Sequence, residues 1–363
     1  MKFVTFAVDT VLGSFSRLGL VVEGPDSGER WFLDLNAAYT RWLVEMAGES
    51  RDYAPVLAEA LVPACMRRFI EAGDRALDAV LTVRLWLESL MNGPRQSLSE
   101  MSGIFGEKLL FEPDAVRLLA PLPKPASLRD FMAFENHMKA GSERRGIPVP
   151  ENWYKFPVYY KGNSRTIVGP DAPVLWPAYT EKLDFELELG CVIGRAGRNI
   201  DERQATNHIF GLTVINDFSA RDVQLAEMAC RLGPAKGKDF ATGMGPCIVT
   251  LDELPGLPSL RMVARVNGET WAEANYDQIY WRFEQMIARV SEDETLYPAD
   301  VFGSGTPFGG CGLDQNRWIQ PGDTVELEIE GIGVLRHQVL KADQMPEPCK
   351  SPRQQLLQRP VEV

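Results

Sequence analysis

The segment LDFELELG (residues 183–190) carries a carboxylate at every second position: Asp184, Glu186 and Glu188. On a β-strand, residues two apart point to the same face. Phe185, Leu187 and Leu189 therefore face one way, toward a core, and the three acids face the other. Glu186 and Glu188 lie roughly 7 Å apart along such a strand and repel unless something compensates. Two readings stand. The acids line the solvated face of an antiparallel sheet, or they hold a hard divalent cation through carboxylate oxygens. A further carboxylate, Asp217, ends the apolar stretch GLTVIND just before a helix. It is either a helix N-cap or another ligand for that cation. Arg221 and Gln224 follow at helical spacing on one face, suited to a substrate carboxylate or carbonyl. Lys238 sits in GPAKGKDFAT, where neighbouring glycines allow close backbone approach. It is either a loop charge or a fixed donor to an anionic oxygen.

The counts narrow the chemistry. There are only three histidines, His137, His208 and His337, so a zinc site built on a histidine cluster is nearly excluded and an imidazole base has at most three candidates. His208 and His337 have no motif around them and read as structural. The net charge of −12 argues against nucleic acid, whose phosphates need clustered Lys and Arg. The six cysteines are widely spaced, with no C-x-x-C pair, and read as buried small side chains in a reducing compartment. The N-terminus reads as a strand and not as a signal peptide. No apolar run reaches membrane-spanning length. The expected setting is cytoplasmic.

These residues need elements to position them. Phe3–Val8 and Leu18–Val22 read as strands, and Leu35–Met46 and Arg75–Met91 as helices. Three prolines, Pro121, Pro123 and Pro125, mark a boundary. Beyond it, Ser127 is placed to cap a short helix running through Arg129, Asp130 and His137. Further strands are expected at Phe185–Ile193, Gly211–Ile215, Cys247–Thr250, Met262–Val266 and Val325–Ile329, and helices at Ser219–Arg231 and Tyr276–Val290. The division expected is an accessory α/β domain over residues 1–120, a β-rich catalytic domain over 121–345 and a peripheral tail over 346–363.

Several ordered blocks resemble the fumarylacetoacetate hydrolase family. They are the E-x-E strand, NDFSARDVQ, GKDFATGMGP, GSGTPFGG from Gly303, and IQPGDTVELEIEGIG. They span residues 125 to 340. The resemblance implies a mixed α+β fold with a β-roll catalytic domain, and a homodimer. It implies Mg²⁺ or Ca²⁺, or Mn²⁺ in their place, held by Glu186, Glu188 and Asp217. The family's lysine falls on Lys238, its next threonine on Thr242, and the threonine of the G-S-G-T turn on Thr306. Asp130 and His137, seven residues apart, match the long form of the family and not the short acylpyruvase form. Asp130 is then a fourth metal ligand and His137 the general base. Tyr160 matches a substrate-contacting tyrosine, although Asn163 replaces an arginine and Met132 a tyrosine of that pattern. The acidic partner of His137 is left open between Glu135 and Asp314.

The activity implied is metal-dependent hydrolysis of a C–C bond in a 1,3-diketo or 2-oxo acid, of the kind met in aromatic catabolism. His137 would activate water, Lys238 and Thr242 would steady the developing charge, and Arg221 and Gln224 would orient the substrate. The same site suits an oxaloacetate-type decarboxylase, a 2-oxo-pentenoate hydratase or an isomerase. A non-catalytic binding protein on the scaffold is the reading from another class.

Overall fold

The computed structural model describes residues 1–24, 28–91, 98–254 and 259–346. The N-terminal part forms three strands, β1 (Lys2–Thr10), β2 (Gly13–Glu23) and β3 (Arg30–Asp34), then a helical layer that includes α1 (Leu35–Glu45) and α2 (Asp74–Met91). Asp34 starts α1 by accepting the amide of Ala37, and its carboxylate also receives Arg17 (2.6 Å). The remainder is built from β4 (Ser127–Phe131), α3 (Glu135–Arg145), β5 (Tyr159–Gly162), β6 (Leu187–Ile193), β7 (Ile209–Asp217), α4 (Arg221–Ala229), β8 (Thr242–Val249), β9 (Arg261–Val266), β10 (Glu269–Asn275), α5 (Phe283–Ser291), β11 (Asp300–Gly303), α6 (Gly312–Gln315), β12 (Thr324–Ile329) and β13 (Gly333–Leu340). The fold is mixed α+β and dominated by sheet.

One twelve-stranded sheet runs through the molecule in the order β3-β2-β1-β8-β7-β6-β11-β4-β5, with short strands at Leu110–Phe111, Arg117–Leu119 and Ile167–Val168 attached. The N-terminal strands join it where β1 pairs antiparallel with β8, Lys2 opposite Val249. A second, five-stranded sheet holds β10-β9-β12-β13 and Val174–Leu175. Its inner side chains, among them Met262, Leu327 and Leu335, pack on Phe185, Leu187, Leu189 and Leu212 of the large sheet. The opposite face carries Val192, Ile215 and Ile248 against Phe3, Leu20, Val80 and Val83 of the N-terminal layer. All seven residues of β6 are buried as a result. Full burial of each of its apolar side chains contributes about 1.5–3 kcal/mol.

The structure corrects several expectations. Ser127 begins no helix. Residues Ser127–Phe131 form β4, parallel to β11 and antiparallel to β5. The helix that carries His137 begins at Glu135. Local pattern favoured a helix, but partners far along the chain supply the backbone hydrogen bonds of a strand. The helix expected from Tyr276 begins at Phe283, after a single 3₁₀ turn at Tyr276–Gln278. Cys191, Cys247 and Cys311 are buried, but Cys65 and Cys230 are exposed. The five described cysteines are free, and Cys349 lies outside the described residues. So does nearly all of the peripheral tail, from residue 347 onward. Among the described residues, no helix is long and apolar enough to cross a membrane.

Candidate active site

The acids of the E-x-E strand are not on a solvated face. Glu186 is 7% exposed and Glu188 fully buried, as is Asp184. Covering both faces of β6 removes the water that a bare surface strand would show its acids. Glu188 lies on β6 and Asp217 at the end of the adjacent β7, where its amide donates to the Glu186 carbonyl (3.2 Å). Asp217 caps no helix, because the residue preceding α4 is Ala220. Asp130 enters from β4, paired with Gly303 of β11 on one side and Tyr160 of β5 on the other.

Asp130, Glu188 and Asp217 present oxygens within 4.8 Å of one another. Both oxygens of Glu188 and Oδ1 of Asp217 are buried and receive no hydrogen bond. A buried carboxylate without donors is costly, so such oxygens call for a cation or a proton. Burial raises the pKa of Asp130 and Glu188 well above the usual carboxylate range, and neighbouring negative charge adds to the effect. Burial also pushes Asp217 up to about 6, with Lys238 pulling the other way. Gly303 leaves the space for this cluster. A Cβ there would lie 2.5 Å from Glu188 Oε2 and 2.9 Å from Asp130 Oδ2. The donor set is all hard oxygen and fits Mg²⁺, Ca²⁺ or Mn²⁺.

Glu186, the fourth predicted ligand, is engaged differently. Arg221 donates to its Oε1 (2.8 Å) and Lys238 Nζ to its Oε2 (2.6 Å). Burial alone would raise its pKa, but Lys238 and Arg221 outweigh it and hold the carboxylate below the usual range. Lys238 also donates to Asp217 Oδ2, which accepts the Tyr160 hydroxyl as well (2.8 Å). Burial would lower the Lys238 pKa, but Asp217 and Glu186 raise it above the ordinary range. Arg221 and Gln224, expected to hold substrate, both line the cleft and bond to each other (3.0 Å), while the guanidinium also donates to Asp184 and Glu186.

His137 faces the same cleft from α3. Its Nδ1 donates to Asp314 Oδ2 at 2.8 Å. A carboxylate of this kind only accepts, so Nδ1 carries the proton and the Nε2 lone pair is free for chemistry. Asp314 also accepts the Gly309 amide and an Arg144 N–H, both at 3.0 Å. Burial would raise the Asp314 pKa, but His137, Gly309 and Arg144 more than offset it and lower it. Glu135 is instead on the outside, bonded to the Tyr154 hydroxyl and to Lys139. The acidic partner is thus Asp314.

The cleft encloses about 230 Å³ and is lined by His137, Lys238, Asp217, Tyr160 and Thr306, with Met132, Leu225 and Met228 on its apolar side. Thr242 stands opposite Asp217 in the β7–β8 ladder and is not part of that lining. His208 bonds the Arg195 carbonyl, and His337 is buried against Phe218; neither lines the cleft. Two arginines that line it, Arg144 and Arg145, escaped the sequence reading. They lie seven and eight residues after His137, a spacing that puts them along the same helical face.

Against this geometry, the chain can be compared with known proteins. The sequence model for the C-terminal part of fumarylacetoacetate (FAA) hydrolase matches residues 127–340. The chain belongs to the fumarylacetoacetate hydrolase family. It is 31% identical over 281 residues to the mitochondrial oxaloacetate tautomerase fahd2 of Xenopus laevis, covering 77% of this chain and 79% of that one. Among solved structures, the fumarylacetoacetate hydrolase of Exiguobacterium antarcticum superposes with a TM-score of 0.63 at 25% identity, over 94% of this chain and 99% of the other. The maleylpyruvate hydrolase of Sphingobium sp. SYK-6, whose structure holds manganese(II) and pyruvate, shares the fold at a TM-score of 0.60 and 21% identity, over 94% and 99%.

Proposed function

We propose that this family member is a divalent-cation-dependent enzyme that moves a proton on a short 2-oxo acid, interconverting its keto and enol forms. The observation that carries the reading is the His137–Asp314 pair facing the same cleft as the Asp130–Glu188–Asp217 cluster. The tautomerase name of the 31%-identical relative supports it. Asp130, Glu188 and Asp217 would hold the cation, with Glu186 beside them. When bound, a divalent ion supplies Lewis-acid polarisation of a carbonyl. With Nδ1 committed to Asp314, His137 Nε2 would take the proton from the carbon beside the carbonyl and deliver it to the carbonyl oxygen to give the enol, or carry it the other way to give the keto form. An ammonium has three N–H donors, and Lys238 uses two of them on Glu186 and Asp217. The third is left for the oxygen on which charge develops. Arg145 lines the cleft and has no carboxylate partner among the described residues, so it suits the acid group of the substrate.

A second reading uses the same base on water. His137 would then activate water against the carbonyl of a 1,3-dioxo acid, and a C–C bond would be hydrolysed. Its support is the set of motifs shared with long-form hydrolases. The test is to follow enol absorbance of oxaloacetate and of several acylpyruvates with Mg²⁺, Mn²⁺ or Ca²⁺, and to identify products by NMR. Faster enol loss with the carbon skeleton intact is expected. Release of pyruvate and a free acid from an acylpyruvate would favour hydrolysis instead. No cation-dependent change with any of these acids would refute both readings.

A further inference from the structure

We infer that Asp184 is a positioning residue that holds the two halves of this site in register: the carboxylate Glu186 beside the cation cluster, and the Asp314 that orients His137. The inference rests on the proposed reading of those two halves.

Asp184 is fully buried, and its two oxygens collect donors from both sides. Oδ2 accepts the Arg221 guanidinium, from Nε at 2.8 Å and from Nη2 at 2.7 Å. The same Nη2 reaches Glu186 Oε1 at 2.8 Å. Arg221 therefore bridges two acids of one strand face and fixes where Glu186 points. On the other side, Oδ1 accepts the Gly312 amide (2.8 Å) and Oδ2 the Leu313 amide (3.0 Å). These are the first two amides of α6, whose own preceding residue, Cys311, supplies no side-chain cap. Asp184 caps this helix from a strand 128 residues earlier in the chain. The next residue of α6 is Asp314.

Two further features fit a close clasp. The backbone pairs Glu186 with Cys311 in an isolated bridge, and the Leu187 amide donates to the Gly310 carbonyl (3.0 Å). Gly312 has no room for a side chain: a Cβ would lie 2.7 Å from Asp184 Oδ1 and 2.1 Å from the Arg317 carbonyl oxygen. An asparagine at 184 presents one acceptor and one donor where the site holds only donors. It must turn its amide N–H₂ toward either Arg221 or the α6 amides.

The test uses two readouts that need no turnover. One is Mn²⁺ affinity by calorimetry. The other is the ¹⁵N signature of the imidazoles, readable because the chain has three histidines. Asp184→Asn is expected to weaken Mn²⁺ binding by roughly 10- to 100-fold, the range seen when partners behind metal ligands are lost. It is also expected to release His137 from its fixed Nδ1–H tautomer. Arg221→Gln should move only the first readout and Asp314→Asn only the second. If Asp184→Asn moves one readout or neither, the inference is overturned. If that variant does not fold, hydrogen exchange of residues 309–316 in the unaltered protein replaces it. Slower exchange on adding Mn²⁺ is expected, and unchanged exchange overturns the inference. Failure of the unaltered protein to bind Mn²⁺ would instead count against the proposed function, while the His137 readout would still judge the clasp.

Discussion

Replacing Asp314 with asparagine separates the base from everything else in the site. The substitution keeps the shape of the side chain and removes its charge. Asp314 has three donors in the structure: His137 Nδ1 at 2.8 Å, and the Gly309 amide and Arg144, each at 3.0 Å. Asparagine retains one oxygen for them and adds an N–H₂ group that must face one of them. If that group meets His137, it demands the opposite tautomer, with the proton on Nε2, where the free lone pair is needed. Hydrogen bonds to charged groups contribute about 1.5–3 kcal/mol. At about 1.4 kcal/mol per tenfold, kcat should fall roughly 10- to 150-fold, with KM nearly unchanged because Asp314 does not touch the substrate. Steady-state kinetics on the acid that the enol screen identifies provides the assay. Arg144→Ala is the control: Arg144 is 35% exposed, and pairs so exposed contribute at most about 1 kcal/mol, or less than about fivefold. His137→Ala should lose activity beyond either. If Asp314→Asn retained kcat within about twofold while His137→Ala abolished it, the orientation argument would be wrong.

Three other outcomes follow from the same geometry. Gly303→Ala places a methyl group 2.5 Å from Glu188 Oε2, so Mn²⁺ binding should fall steeply in calorimetry while circular dichroism shows the fold retained. Asp217 is raised to about 6, and Asp130 and Glu188 also lie above their usual range, all first through burial. In the folded state all three thus bind protons more tightly than in the unfolded chain; the stability that Asp217 contributes is present below about pH 4 and lost as pH rises through about 6, and that of Asp130 and Glu188 is likewise lost as pH rises above the usual carboxylate range. The increase in Tm that Mn²⁺ gives over EDTA should therefore be larger near pH 7.5 than near pH 5, and equal increments would contradict the assignment. Arg145→Gln removes a cation that has no carboxylate partner among the described residues. KM should rise about tenfold with kcat nearly unchanged, as expected when binding is uniform between ground and transition states.

What the sequence made legible was whatever one strand or helix decides by itself. The period of two in LDFELELG placed Phe185, Leu187 and Leu189 in the core and the three acids opposite, and this needed no knowledge of the fold. Whether that acid face met water did need it. The burial of Glu186 and Glu188 depends on residues far along the chain: Arg221 and Lys238 lie on Glu186, and Asp130, Asp217 and Gly303 crowd Glu188. The same limit accounts for Ser127: its strand exists because Asp300–Gly303 lies alongside it. It also accounts for the partner of His137. Glu135 is two residues away and Asp314 is 177 residues away, yet only Asp314 reaches the ring. Arg221 shows how this limit bears on function. Its helical spacing with Gln224 holds in the structure, where the two touch. Both line the cleft, where a substrate-binding residue must stand, but a guanidinium has a fixed number of donors. Asp184, Glu186 and Gln224 take most of them, so the cations of the cleft with more donors left for an acidic substrate are Lys238 and Arg145.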